Sequence, residues 1–344
     1  MKALVTGATG FLGSYIVDKC VEQGDRVRCL VRESSDLDYL KKYEDVELSY
    51  GSLMDEDAID KAMEGIEIVY HTAARSADWG TRNQFWESNY LGAIHILNSC
   101  RKMGVRRLVY VSTPGVVYDY TDHILIDESQ PYPREFANYY CEAKARAEQE
   151  ILAANDPRGL ITVAIRPHAI WGPRDRIGFI PRIVNRIVHR QMVRIIGANN
   201  GSVDMTYVTD VADACILAGK SKECAGRPYF VSDGAETRTG EFLNELCETL
   251  DLPKPFIPLP KSIAWGIAYV SDFTWRIPYL AKNFEPLITR YALGMATNRT
   301  THNISAAKRD LGYEPKVNVE LGLKLLKKWI DENGGVEALI RHVK

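Results

Sequence analysis

Short β-rich apolar runs fall at Lys2–Thr6, Val27–Val31, Val46–Ser49, Ile66–Thr72, Arg107–Ser112 and Leu160–Arg166. Between them lie stretches with helical spacing of apolar positions, at Phe11–Cys20, Glu56–Met63, about Asn83–Lys102 and Ala137–Ala154. Regular strand–helix alternation predicts an α/β fold, a doubly wound parallel sheet with helices on both faces. Residues 113–135, with Pro131 and Pro133, read as a loop. After Pro167 the pattern becomes irregular. An amphipathic helix is expected at Phe179–Gln191, then β-like runs at Val193–Ile196 and Met205–Val208 around a turn at Gly197–Ser202. A helix at Val211–Gly219 and a last sheet strand at Pro228–Val231 follow, then helices at Thr239–Leu250, Ser262–Trp275, Glu285–Ala292, Ser305–Asp310 and Val319–Asn333. The domains expected are residues 1–167 plus about 203–235 for the sheet, and about 168–202 plus 236–344 for a smaller, mostly helical substrate lobe.

The first strand–helix junction carries the clearest chemistry. Gly7, Gly10 and Gly13 punctuate Thr6-Gly7-Ala8-Thr9-Gly10-Phe11-Leu12-Gly13, after one strand, at the start of one helix, and ahead of a second strand. Glycines there let the backbone turn sharply and admit a pyrophosphate, while Thr9, Phe11 and Leu12 carry the turn into a helix whose first N–H groups are unpaired. A Rossmann-type dinucleotide site is predicted. Loops after residues 6, 31, 72, 112 and 167 should converge outside the carboxyl ends of the strands, so Pro167 belongs with the cofactor-facing positions. At the end of the second strand stands Arg32, with no carboxylate until Glu33. An acidic residue there suits the ribose hydroxyls of NAD; an arginine suits a 2′-phosphate, so NADP is favoured and NAD remains possible.

Tyr140 and Lys144 are four apart on a predicted helix and share one face. A phenol titrates near pH 10, and a nearby ammonium favours the phenolate, so the pair reads as a general acid/base. The strand 107–112 ends in Ser112-Thr113, either of whose hydroxyls is placed to hold a substrate oxygen beside the tyrosine. Cys141 is read as a helix residue facing away.

The GxxGxxG spacing, Tyr140-xxx-Lys144 and Ser112-Thr113 closely resemble the extended short-chain dehydrogenase/reductases, the NAD-dependent epimerase/dehydratase superfamily, over nearly the whole chain. The resemblance implies Tyr140 as proton donor or acceptor, Lys144 as its partner and a ribose ligand, and one hydroxyl of the Ser112-Thr113 pair. Setting Val116 against the family's loop valine puts Thr113 at the catalytic position, although Pro114 and Gly115 leave Ser112 open. Asn89 resembles the helix asparagine of the family's NVxGT pattern, in a role supporting the site. Ala73 and Ala74 match the small-residue loop that lets the cofactor pass, and Ser52-Leu53 replaces the family's Asp-hydrophobic adenine contact. A homodimer through the helices at about 83–102 and 137–154 is also implied.

Arg166-Pro167-His168-Ala169-Ile170-Trp171-Gly172-Pro173-Arg174-Asp175 and Gly201–Val208 resemble the 3β-hydroxysteroid dehydrogenase branch, which includes reductases of 2-alkyl-3-oxoalkanoates and sterol carboxylate dehydrogenases. Val203 stands where nucleotide-sugar enzymes of the superfamily place a diphosphate-binding arginine. The reading is an NADP(H)-dependent oxidoreductase interconverting a secondary alcohol and a ketone on a small hydrophobic substrate, sterol-like or long-chain 3-oxo acid-like. A nucleotide-sugar epimerase/dehydratase with tightly bound NAD and a non-catalytic NAD(P)-sensing protein are the alternatives. Trp79, Trp171, Trp265, Phe273 and Trp275 are candidates for an apolar pocket wall.

Composition adds exclusions. The 344 residues are 46% hydrophobic and 26% charged with a net charge of −2, which gives no electrostatic case for nucleic acid. The arginines at 182, 186 and 190 read as a solvated face or an anion contact. Seven cysteines without CxxC spacing suit a reducing, cytoplasmic setting, and seven histidines show no metal-ligand spacing, so no metal is expected. A strand beginning at residue 2 leaves no room for a cleavable leader. The apolar run around Ile263–Val270 is too short to span a bilayer, and contact of the Ser262–Trp275 helix with a membrane surface is the peripheral alternative.

Overall fold

The computed structural model describes residues 1–196, 201–255 and 257–343. Most of the turn expected at Gly197–Ser202 therefore lies outside the described residues. Seven strands, β1 (Lys2–Thr6), β2 (Arg26–Val31), β3 (Glu47–Tyr50), β4 (Ile68–His71), β5 (Arg107–Val111), β6 (Ile161–Pro167) and β7 (Arg227–Val231), form one sheet in the order β7-β6-β5-β4-β1-β2-β3. Every pairing is parallel. This is the expected doubly wound Rossmann architecture: strand order reverses between β1 and β4, the switch point at whose carboxyl ends such sheets bind their ligands.

The sheet is apolar on both faces because helices cover both. One face packs on Phe11–Glu22 and Val208–Lys220, through residues such as Val5, Ile16, Val109, Val163 and Val211. The other packs on Glu56–Met63, Gly92–Lys102 and Tyr139–Ala153, through Leu4, Ile59, Ile96, Leu108 and Ile151. A separate core holds the C-terminal lobe, where Trp171, Ile180, Tyr207, Phe242, Leu326 and Ile330 meet.

The structure differs from the sequence expectation at three places. The long helix at about 83–102 is broken in geometry: Arg82–Phe85 is α-helical, Trp86–Leu91 widens to a π-helical turn, and Gly92–Lys102 resumes the α-helix. The helix expected at Glu285–Ala292 does not form. Pro286 disfavours helical geometry in the residue before it, and the helix starts instead at Arg290 and runs to Thr297, with the Thr289 hydroxyl accepting from the Ala292 amide at 3.0 Å. The loop at 113–135 contains a strand, His123–Ile126, paired in parallel with Arg299–His302, as Thr300 with His123 and His302 with Ile126, far away in sequence. No local pattern announces so distant a partner.

Candidate active site

The first turn is built around absent side chains. Gly7 has φ +72°, and a Cβ there would lie 2.7 Å from Thr72 Oγ1 and 2.8 Å from the Ala73 amide nitrogen. A Cβ on Gly13 would lie 2.0 Å from the Gly7 carbonyl oxygen. The turn and the loop after β4 can therefore touch only through glycine. Gly10 precedes the helix Phe11–Glu22, no side chain among the described residues caps that helix's N-terminus, and the Gly10 amide donates to the Gly7 carbonyl at 2.9 Å. A helix N-terminus left open above a glycine cradle fits a dinucleotide pyrophosphate. Thr9 and Phe11 are half-buried at its edge, and Leu12 packs into the core. Gly13→Ala is expected to lower thermal stability by about 1–3 kcal/mol and to eliminate dinucleotide binding in calorimetric titration, because the overlap is with backbone that cannot move aside.

The flanks of the crevice are set by β2, β3 and β4. Arg32 is exposed at the end of β2, its amide donating to the Ser35 hydroxyl at 3.1 Å. Ser52 is exposed and its hydroxyl accepts from the Met54 amide at 3.2 Å, while Leu53 packs on Gly92. Ala73 and Ala74 carry the loop after β4 past the glycine turn. That loop is fixed two residues on, where the buried Asn89 amide group accepts from the Arg75 N–H at 2.7 Å and donates to its carbonyl at 3.1 Å. Asn89 thus reaches backbone rather than open crevice, aimed by the π-helical turn that contains it. Pro167 ends β6 opposite Val231 of β7.

Tyr140 sits in the first turn of Tyr139–Ala153, whose N-terminus is capped by Asn138 Oδ1 accepting from the Cys141 amide at 2.8 Å. Thr113 and Ser76 bring hydroxyls to the Tyr140 phenol. Burial pushes that phenol up to about 12, against the opposing effect of both hydroxyls. Of the adjacent pair, Thr113 faces the tyrosine, and the buried Ser112 Oγ has no hydrogen-bond partner among the described residues. Lys144, one turn on, is buried; its Nζ donates to the Val111 carbonyl at 2.6 Å and lies 4.0 Å over the Tyr110 ring. Burial pushes its ammonium down to about 7, with Glu148 acting in the opposite sense.

Several residues at or behind this centre have no clear local signal. Ser76 has none. Tyr291 comes from the C-terminal lobe and meets Cys141 and Thr113 around Gly115, where an added Cβ would be 2.9 Å from its hydroxyl and 3.0 Å from Cys141 Sγ. Cys141 therefore does not face away; burial raises its thiol to about 12, so it packs as a neutral group. Glu148 did have a signal, four residues after Lys144 on the same helix face. It accepts Arg166 NH2 at 2.6 Å and the Tyr132 hydroxyl at 2.6 Å, locking the helix to β6.

The candidate wall residues separate. Trp171 is buried in the lobe core, and Phe273 is 73% exposed on the outside. Trp79 lies beneath Arg182, and Trp265 stands edge-on to Tyr120, which in turn contacts Tyr118 beside Tyr291. Arg182 and Arg186 are paired with Asp78 and Glu285 at 3.3 Å each, so the arginine face of Phe179–Val188 is tied partly to the loop after β4 and partly within the lobe. Histidines scattered in sequence come together at Asp204, to which His168 and His302 both turn Nδ1, at 2.5 and 3.0 Å. Burial opposes ionisation of Asp204, but the two histidines outweigh it and hold the carboxyl below its ordinary range.

A glycine cradle at the sheet's switch point, with a tyrosine, a lysine and a hydroxyl at its mouth, defines an NAD(P)-binding oxidoreductase of the extended short-chain dehydrogenase/reductase class, acting on CH–OH or ketone groups. The model of the 3-beta hydroxysteroid dehydrogenase/isomerase family matches residues 4–261, and the chain belongs to that family. A 2-alkyl-3-oxoalkanoate reductase of Shewanella oneidensis is 33% identical, over 94% of this chain and 85% of its own. A decarboxylating sterol-4-alpha-carboxylate 3-dehydrogenase of Candida albicans is 30% identical, over 96% of this chain and 97% of its own. In fold the chain is similar to UDP-glucose 4-epimerase of Thermotoga maritima, with a TM-score of 0.77 at 23% identity, covering 96% of this chain and 99% of that one.

Proposed function

We propose that the protein is an NADP(H)-dependent reductase or dehydrogenase of a hydrophobic β-oxo acid or its β-hydroxy counterpart, long-chain or sterol-like. The observation that carries this reading is the Tyr140 phenol flanked by the Thr113 and Ser76 hydroxyls. A phenol held protonated by burial is suited to give its proton to a ketone oxygen, and the Thr113 hydroxyl to hold that oxygen in place. A bound nicotinamide would supply the hydride. Lys144, on the next turn, would reach the ribose hydroxyls and favour the phenolate once the proton has gone. In the oxidative direction Tyr140 takes the proton back. Gly7, Gly10, Gly13, Thr9, Phe11 and Leu12 would hold the pyrophosphate turn; Ser52, Leu53, Ala73, Ala74 and Pro167 would line the crevice, with Asn89 supporting it from behind.

The substrate class is supported by what stands around the cleft. Val203 occupies the place of a diphosphate-binding arginine, which disfavours a nucleotide sugar. Tyr120, Tyr291, Trp265 and Met295 offer apolar surface on the lobe side. The similar reductase and sterol dehydrogenase are both named for substrates with an oxygen function near a carboxylate on an apolar skeleton. Seven free, buried cysteines favour residence in the reducing cytoplasm, and a homodimer through the helices at 82–102 and 139–153 completes the reading.

Arg32 supports NADP. Its exposed guanidinium has no ion-pair partner among the described residues and stands at the end of β2, where a 2′-phosphate would lie. Charge-assisted hydrogen bonds contribute about 1.5–3 kcal/mol, so titration calorimetry should show NADPH binding about 10–100-fold tighter than NADH. Arg32→Ala should erase that difference without weakening NADH. Equal binding of both cofactors by the unaltered protein would overturn the NADP assignment.

A further inference from the structure

The helix Lys261–Thr274 is packed the wrong way round for a surface helix of a protein surrounded by water. Its buried positions are the small residues Ala264, Ala268 and Ser271, while Ile263, Val270 and Phe273 point outward. Val270 is 63% exposed, and the apolar surface continues over Ile277, Phe284 and Leu287, each more than half exposed. The continuation is physically joined to the helix: Trp275 Nε1 donates to the Phe284 carbonyl at 2.9 Å. A groove passes over Gly266, where an added Cβ would meet nothing. Scattered exposed leucines are normal, but a contiguous apolar face of this kind marks a surface that is covered in use.

Charge indicates what covers it. Lys261, Arg276 and Lys282 sit on this segment without an ion pair among the described residues. The acids of the segment are engaged, Asp272 with Arg290 at 2.5 Å and Glu285 with Arg186 at 3.3 Å. The face is thus apolar, fringed by free cations and by the aromatic rings of Tyr269, Trp275 and Tyr279, although the whole chain carries a net charge of −2. A two-fold pairing of this face with a second copy would bring the same three cations to both sides of the seam, with no free acid of the segment on either side to receive them. An anionic lipid surface takes the apolar residues into its acyl boundary and the cations at its headgroups.

We propose that residues 261–287 form a membrane-docking face that seats the protein on anionic lipid, with no helix crossing. Among the described residues no helix is long and apolar enough to cross. The inner flank of the same helix borders the cleft, since Trp265 contacts Tyr120 at 6.4 Å between ring centres and Arg290 lies over both Tyr120 and Tyr269. A docked protein would therefore present its cleft beside the bilayer, from which a hydrophobic substrate can be taken.

The test is flotation of the full chain with phosphatidylcholine vesicles, with and without roughly one-third phosphatidylglycerol. Binding is expected to the anionic vesicles and to weaken with salt. Val270→Asp combined with Phe273→Asp should abolish it, and Lys261→Gln, Arg276→Gln and Lys282→Gln together should weaken it about a hundredfold at low salt. Val270, Phe273, Arg276 and Lys282 are exposed and Lys261 is half-buried at the helix start, so the variants should keep the unaltered melting temperature and cofactor affinity. Failure of the unaltered protein to float, or flotation unchanged by the aspartate pair, would overturn the proposal. So would a dimer that the aspartate pair dissolves in sedimentation, without any vesicle binding, which assigns the face to a second copy. Flotation is read without substrate, so its failure leaves the reading of Tyr140 intact.

Discussion

Tyr140→Phe is expected to reduce turnover by about 10²–10⁴-fold while cofactor affinity is unchanged. The substitution removes one oxygen from a ring already packed edge-on to Phe85 at 6.2 Å between centres, so the helix and the cradle should persist. The loss should fall on kcat, because in the proposed role the missing group acts on the reacting oxygen. In the unaltered enzyme burial holds the phenol at about 12, so the proton needed for ketone reduction is in place throughout the neutral range. Alcohol oxidation begins from the phenolate, and its rate should rise with pH through the alkaline range. That rise should be missing from Tyr140→Phe. Retained turnover with an unchanged pH profile would remove Tyr140 from the chemistry.

The second large effect is on stability. Glu148 and Arg166 are both almost wholly buried, joined by a 2.6 Å contact from NH2 and by Nε contacts of 3.1 and 3.2 Å. Removing one member of such a pair leaves an uncompensated buried charge and costs about 3–5 kcal/mol. Glu148→Ala should therefore lower the melting temperature by about 4–7 °C for a chain of this size. Pairing it with Arg166→Met should restore much of the loss, because the desolvated guanidinium is then gone as well. A melting temperature within about 1 °C of the unaltered protein in the single variant would show that the pair contributes little to stability. Glu148 also opposes the downward pull of burial on Lys144, so the same substitution should lower the pH at which the lysine loses its charge.

The two predictions concern one helix face. Tyr140, Lys144 and Glu148 recur every fourth residue, so a single helical stripe carries the proposed acid/base group, its proposed cationic partner and the carboxylate that binds the stripe to β6. Chemistry and stability are coupled there by spacing alone.

Much of this is written in short-range pattern. The alternation of strand and helix periods determines a doubly wound sheet, glycines at 7, 10 and 13 determine its first turn, and i, i+4 spacing places Tyr140 beside Lys144. Each depends on residues only a few positions apart, where backbone sterics and helical geometry act directly. What remained open depended on distant contacts. Adjacent residues at a strand end point to opposite sides, and only the packed structure decides that Thr113 faces Tyr140 while Ser112 is enclosed. Ser76, Tyr291 and the meeting of His168 and His302 at Asp204 arise from loops and a second lobe folded onto the sheet. The Lys261–Thr274 helix is apolar on more than one side, so its sequence does not say which side turns inward. Tertiary packing chose the small residues, because the space against Leu293 and its neighbours admits Ala264 and Ala268, and the bulky face was left outside.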